Sequence, residues 1–240
     1  MDVCNHPDFH SVSFPVLSES MIAYLFSCEF ATCAVPEAHR DLFKGAEDVV
    51  SSTAGWEPGA LNLAQAFAMK FRTPLVHGEI TRLLIDLEQD GEKRWSRFSK
   101  RLPEPTRGKL AERHEKPYRH LLEQRITEDL RRYDHLFHIL VHTSPDQAGR
   151  ITLSTPQASD HATNAASQWR DGLRKAELDV IHLSGQGGNA LTKPLAAAHP
   201  AESYVQIRLD VAQSFFLDGR PLRWDEMKKI LLDTLKAVTL

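Results

Sequence analysis

Apolar positions in this chain come in short blocks, separated by polar stretches that carry proline or glycine. Residues 21–26 form the first block, too short for a helix and followed by charge, so they predict a buried strand. Pro36 then opens a short helix through Leu42 and Phe43, and Gly55 with Pro58-Gly59 marks a turn. Residues 60–71, rich in Ala, Leu and Met at helical spacing, predict a helix that Thr73-Pro74 stops before a strand region begins at Leu75-Val76. Residues 82–88 alternate, which predicts a strand with Arg82 and Asp86 on one side and Leu83, Ile85 and Leu87 on the other. The charged segment 89–107 reads as surface. Helices follow over 108–115 and 117–132, the second with Pro117 in its first turn and a stripe of Leu121, Leu122, Ile126 and Leu130. Residues 136–141 predict a strand that ends at Ser144-Pro145-Asp146 and Gly149. A helix over 163–176, a strand over 178–183 and a turn through Gly185 and Gly187-Gly188 come next. The chain closes with a helix over 189–198, an alternating strand over 204–211 and, after Pro221, an amphipathic helix over 224–238.

Strands and helices therefore alternate from end to end. That predicts a single α/β domain over 21–240, three layers deep, with a mixed, largely parallel sheet. An irregular segment over 1–20, with Pro7 and Pro15, precedes it. The composition fits a globule with a real core, since 42% of the 240 residues are hydrophobic and 25% are charged. A formal charge of −3 provides no basic field for nucleic acid or anionic membrane, and no apolar run is long enough to span a bilayer. Met1-Asp2-Val3-Cys4-Asn5-His6 lacks the basic start and apolar stretch of a secretory signal. Three cysteines do not make a disulfide framework, so a reduced, cytoplasmic protein is expected.

Candidate chemistry sits just past the apolar runs, where an open α/β sheet delivers side chains to a shared crevice. Glu29 follows the first strand directly; it can ligate a cation or act as a base, or simply cap the next turn. His142 follows a strand likewise and is either a metal ligand or a histidine bonded to backbone, with His138 four residues earlier on the same face, in the core or supporting the ligands from behind. Asp210, at the end of the last strand, is either a general base or the partner of Arg208. Arg82 and Asp86 can clamp and orient a substrate carboxylate, or form a structural ion pair. Cys4, His6 and His10, and Cys28 with Cys33, lack the spacing of a zinc finger. The turn Gly185-Gln186-Gly187-Gly188 is followed by no lysine-serine or lysine-threonine in register and is no phosphate loop.

Six motifs in order resemble the N-formylglutamate amidohydrolase family. They are Cys28-Glu29-Phe30-Ala31 with Val35-Pro36; Glu57-Pro58-Gly59-Ala60; Thr81-Arg82-Leu83-Leu84-Ile85-Asp86-Leu87-Glu88-Gln89; Pro117-Tyr118-Arg119; His142-Thr143-Ser144-Pro145; and the stretch from Tyr204 through Ile207 and Asp210 to Gln213. The resemblance implies a fold like the zinc carboxypeptidases and phosphorylase/hydrolase-like proteins. It also implies metal-dependent hydrolysis of an N-formyl or N-acyl amino acid, a small-molecule substrate, at a linear amide bond. On it, Glu29 and His142 would ligate a divalent metal, in the first place zinc. Asp210 would be the catalytic base, and Arg82 with Asp86 would bind substrate. The chain also departs from the family pattern. Phe30 stands where the first motif has a histidine and cannot ligate, so a third ligand would have to come from His39, Cys33 or Asp146. Asp210 stands where glutamate is expected, and Glu88-Gln89 where Asn-Arg is expected; a carboxylate at Glu88 would repel an acidic substrate. The alternative is therefore a degenerate, non-catalytic homologue that keeps the fold as a binding or interaction protein.

Overall fold

A computed structural model describes residues 21–145, 149–157, 159–217 and 221–239. The lead-in over 1–20, with Cys4, His6 and His10, and also Asp146, lie outside the described residues. The strands are β1 (Ile22–Cys28), β2 (Leu75–His77), β3 (His135–Ser144), β4 (Ile151–Thr155), β5 (Val180–Ser184) and β6 (Tyr204–Ala212). They form one six-stranded sheet in the order β2-β1-β3-β6-β4-β5. All neighbours run parallel except β4 and β6, so the sheet is mixed and largely parallel, as the alternation predicts.

The helices are α1 (Glu47–Ser51), α2 (Ala60–Phe71), α3 (Glu104–Leu110), α4 (Lys116–Leu130), α5 (Asp160–Lys175), α6 (Thr192–Ala198), α7 (Ser214–Leu217) and α8 (Pro221–Lys236). The faces of α2, α5 and α8 that carry Phe67, Trp169 and Leu231 pack on Phe26, Phe137, Ile139 and Ile207 on one side of the sheet. From α4 and α6, Tyr118, Leu122, Ile126 and Leu195 cover Leu25, Leu136 and Tyr204 on the other. Strands sandwiched in this way are buried on both faces, which is why residues 136–143 of β3 are all buried. A smaller third core gathers Phe43, Val50, Leu84, Ile85, Phe98 and Leu110. Among the described residues no helix is long and apolar enough to cross a membrane. Cys28 and Cys33 are free thiols.

Several elements differ from the sequence expectation, among them α1 and α7, which it did not include. Residues 82–88 are not a strand but a run of turns. Leu84 and Ile85 both point into the third core despite being adjacent, and the Asp86 carboxylate accepts the Glu88 backbone N–H at 2.9 Å, which curls the chain. Arg82 and Asp86 thus do not share the side of a strand. The helices expected over 108–115 and 117–132 are one continuous helical stretch, α3 and α4 joined by a π-helical turn, Ala111–Glu115. β4 was not anticipated, because its five residues have no alternation strong enough to stand out beside Pro145 and Gly149.

Candidate metal centre

β1, β3 and β6 lie side by side in register. The pairing of His142 with Asp210 and of Leu140 with Arg208 puts His142, Arg208 and Asp210 at the carboxyl ends of adjacent strands. Alternation then sets the face. Ser27 and Glu29, His138 and His142, and Gln206, Arg208 and Asp210 each fall two or four residues apart, on the side of the sheet that α4 covers. This is the crevice position expected in an open α/β sheet.

His142 is fully buried at the centre. Its Nδ1 lies 2.9 Å from Glu57 Oε2, and the same oxygen accepts the Thr143 backbone N–H at 3.2 Å. That contact assigns the ring proton to Nδ1 and leaves Nε2 free to ligate. Glu57 is held there by the turn that opens α2. Its N–H donates to Phe30 O at 2.9 Å, Gly59 takes the left-handed φ of 87° that the turn requires, and the Thr143 hydroxyl donates to Pro58 O at 2.8 Å. His142 Nε2 faces Glu29 Oε2 at 3.1 Å and Glu88 Oε1 at 3.4 Å.

These separations fit a shared cation. Donor atoms about 2.1 Å from one tetrahedral ion stand about 3.4 Å apart. One ligand atom from each of Glu29, Glu88 and His142 lies within 4.8 Å of the others. Glu29 Oε2 and His142 Nε2 are buried and lack hydrogen-bond partners. The two atoms stand 3.1 Å apart, within ion-pair range of each other. Buried polar atoms are rarely left without hydrogen bonds. Two carboxylates and one imidazole supply oxygen and nitrogen donors that zinc accepts, with one histidine fewer than the two-histidine, one-glutamate set of many zinc hydrolases.

The electrostatics match. Burial would raise the Glu29 carboxyl, but the adjoining His142 imidazole, with help from the Tyr118 hydroxyl and Ser27, holds it at about 2. Burial and Arg208 push the His142 imidazole down, yet Glu57, Glu88 and Glu29 together hold it well above its ordinary value. Burial raises the Glu88 carboxyl, against the opposing charges of His142 and Arg208. A cation in the centre is therefore favoured, and the imidazolium proton supplies one when no metal does.

Around this centre the sequence-read residues take definite places. Asp210 is gripped by Arg208, with Nε at 2.9 Å from Oδ2 and Nη2 at 3.3 Å from Oδ1, while Arg208 Nη1 bonds to Glu88. Arg82 donates to Ala54 O at 3.1 Å and Thr53 O at 2.8 Å, stands 3.6 Å from Glu57 and lies over the Phe30 ring at 4.5 Å. Its ion-pair partner is thus Glu57, and Asp86 shapes the turn that presents Glu88. Phe30 packs edge-on to the His142 ring at 5.8 Å.

Sequence reasoning missed two members. Glu88, expected as a repulsive departure, is the third member of the cluster; neither His39 nor Cys33 belongs to it. Glu57, noted only as part of a motif, orients His142. The available signal was position: both stand where the resembled family's motifs put polar residues. His138 fulfils its expected place in the core, with Nδ1 2.7 Å from the Tyr204 hydroxyl and Nε2 2.9 Å from Ser27 Oγ.

Comparison with other proteins shows the fold. No protein-family model matches the chain, and no curated protein matches it in sequence. Two solved structures are similar along nearly the whole length. Gene product Atu2144 from Agrobacterium tumefaciens has a TM-score of 0.71 at 20% identity, over 89% of this chain and 88% of that one. An N-formylglutamate amidohydrolase from Ralstonia eutropha has a TM-score of 0.64 at 14% identity, over 92% of this chain and 95% of that one. This chain thus shares the architecture of both structures, a single α/β domain built on a mixed, largely parallel sheet.

Proposed function

We propose that this chain is a metal-dependent hydrolase of a linear amide bond, acting on an N-formyl or N-acyl amino acid. Glu29, Glu88 and His142 would hold a divalent ion, in the first place zinc. The observation that carries the reading is the convergence of two unpartnered buried ligand atoms, Glu29 Oε2 and His142 Nε2, beside Glu88. A divalent ion in such a site supplies Lewis acidity toward the amide carbonyl and toward water. Glu57 keeps His142 in the tautomer with Nε2 bare. Asp210, the register partner of His142, takes the proton of the attacking water and returns it to the leaving amine, while Arg208 holds it in place. Arg82 is the cation that receives the carboxylate of the amino acid, and Asp86 fixes the turn beside it.

A second reading keeps the fold without the chemistry. Phe30 offers no ligand, and Arg208, Arg82 and a protonated His142 already pair with Glu88, Glu57 and Glu29. In that case the centre is a buried ion network, which specifies structure more than it stabilises it.

Metal analysis and an assay for the free amino acid released from N-formyl and N-acyl amino acids, with zinc, cobalt or manganese added, separate the two. The hydrolase binds close to one ion per chain and loses it in Glu29→Ala and in His142→Ala. In Asp210→Asn, kcat falls about 10²- to 10⁴-fold with bound metal unchanged. Protein that never takes up metal, yet melts cooperatively, supports the second reading.

A further inference from the structure

The Pro117-Tyr118-Arg119 motif opens α4 and touches the candidate centre from behind without contributing a ligand. Tyr118 is buried, and its hydroxyl donates to Glu29 Oε1 at 2.7 Å. With Oε1 so occupied, Oε2 is the oxygen left bare toward His142 Nε2. The next residue treats Glu88 in the same way through its backbone. Arg119 Nη2 donates to Leu87 O at 3.1 Å and to Gln89 O at 3.2 Å, the carbonyls on either side of Glu88. Arg119 Nη1 donates to Ala190 O at 3.1 Å, and the Ala190 N–H donates to Glu88 O at 3.0 Å. The guanidinium is itself held by Glu115, whose Oε1 accepts from Nε at 3.0 Å and whose other oxygen is bonded by Arg94. Glu115 closes the π-helical turn, so that turn sets where the arginine fork starts.

We infer that Tyr118 and Arg119 are the positioning residues of this centre. One hydroxyl selects the ligating oxygen of Glu29, and one guanidinium locks the loop that carries Glu88. A turn of helix thereby fixes two of the three ligands, which come from segments some sixty residues apart in sequence. Glu88 lies in a loop without ladder hydrogen bonds, so its precision has to come from such a clamp. Arginine suits the task because its planar fork holds several donors in fixed, separated directions, which the compact lysine ammonium does not.

The inference rests on the metal-centre reading, and the test keeps the two apart. Cobalt(II) is titrated into the full chain and into Tyr118→Phe, Arg119→Lys and, as a control on the exposed side of α4, Leu121→Ala. Binding is read from the ligand-field absorption spectrum. The two positioning variants are expected to bind cobalt about 10- to 100-fold more weakly. Their spectra should shift, while Leu121→Ala matches the parent in both. Parent-like affinity and spectrum in Tyr118→Phe and Arg119→Lys overturn the inference and leave the metal reading standing. If the parent takes up no cobalt, the metal reading fails, and crystal structures of the two metal-free variants decide. A turned Glu29 carboxylate in one and a displaced 86–90 backbone in the other support the positioning role. Unmoved groups in both overturn it.

Discussion

His138 shows how a single buried side chain ties stability to pH. It lies two turns of the pleat behind His142, between Tyr204 and Ser27, and burial pushes its imidazole down to about 4 from an ordinary 6.5. Between those values the unfolded chain binds a proton that the folded chain refuses. Its contribution is therefore fully present above about pH 6.5 and is lost as pH falls toward 4, by roughly 3 kcal/mol in all. Denaturant melts of the parent and of His138→Gln across pH 4–7.5 should show the parent's advantage shrinking over that window; a pH-independent difference would contradict it. Phe30 is the complementary case. Its ring sits between Arg82 and His142, so Phe30→His brings a fourth potential ligand beside the cluster, and zinc titration should show tighter binding than in the parent.

The end of β1 depends on a close approach that only glycine permits. Gly78 follows β2 and donates its N–H to Cys28 O at 2.9 Å. A Cβ built on Gly78 would stand 2.2 Å from Glu29 O, a backbone atom that cannot swing aside. Gly78→Ala must therefore push the strand end that presents Glu29. A loss of about 1–3 kcal/mol is expected in urea unfolding, with weakened metal uptake on top of it. Loss of stability without loss of metal would mean that Glu29 is not delivered by β1 as described. The 82–88 segment carries the opposite lesson. Its alternation is real, yet Arg82 binds the carbonyls of Thr53 and Ala54 and Asp86 bends its own chain toward Glu88. Local side-chain bonds to backbone outcompeted the ladder that a strand would need.

On the face of the sheet opposite α4, α5 packs against both the strands and α8. Trp169 is fully buried there, packs edge-on to Phe67 at 6.2 Å and donates its indole N–H to Thr234 at 3.1 Å. Trp169→Ala should cost about 3–5 kcal/mol in global unfolding. Because this core lies on the far face from α4, metal affinity of the variant that remains folded should match the parent's, which equilibrium dialysis can check. The two faces thus carry separate duties. The Trp169 side closes the globule, and the Tyr118 side holds the polar line that runs from His138 to His142.

Periodicity and chemistry along the chain were enough for the α/β class, for most strands and helices, and for Glu29 and His142 as side chains waiting at strand ends. Those features depend on which face a short segment buries, and neighbouring residues encode that. The partnership of Glu29 with His142, across more than a hundred positions, needed the parallel pairing of β1 with β3. The roles of Glu88, Glu57, Tyr118 and Arg119 needed more still. They lie in loops or at a helix start, where no repeat announces a direction. Only the packing of α4 and of the small third core against the strand ends turns them toward one point.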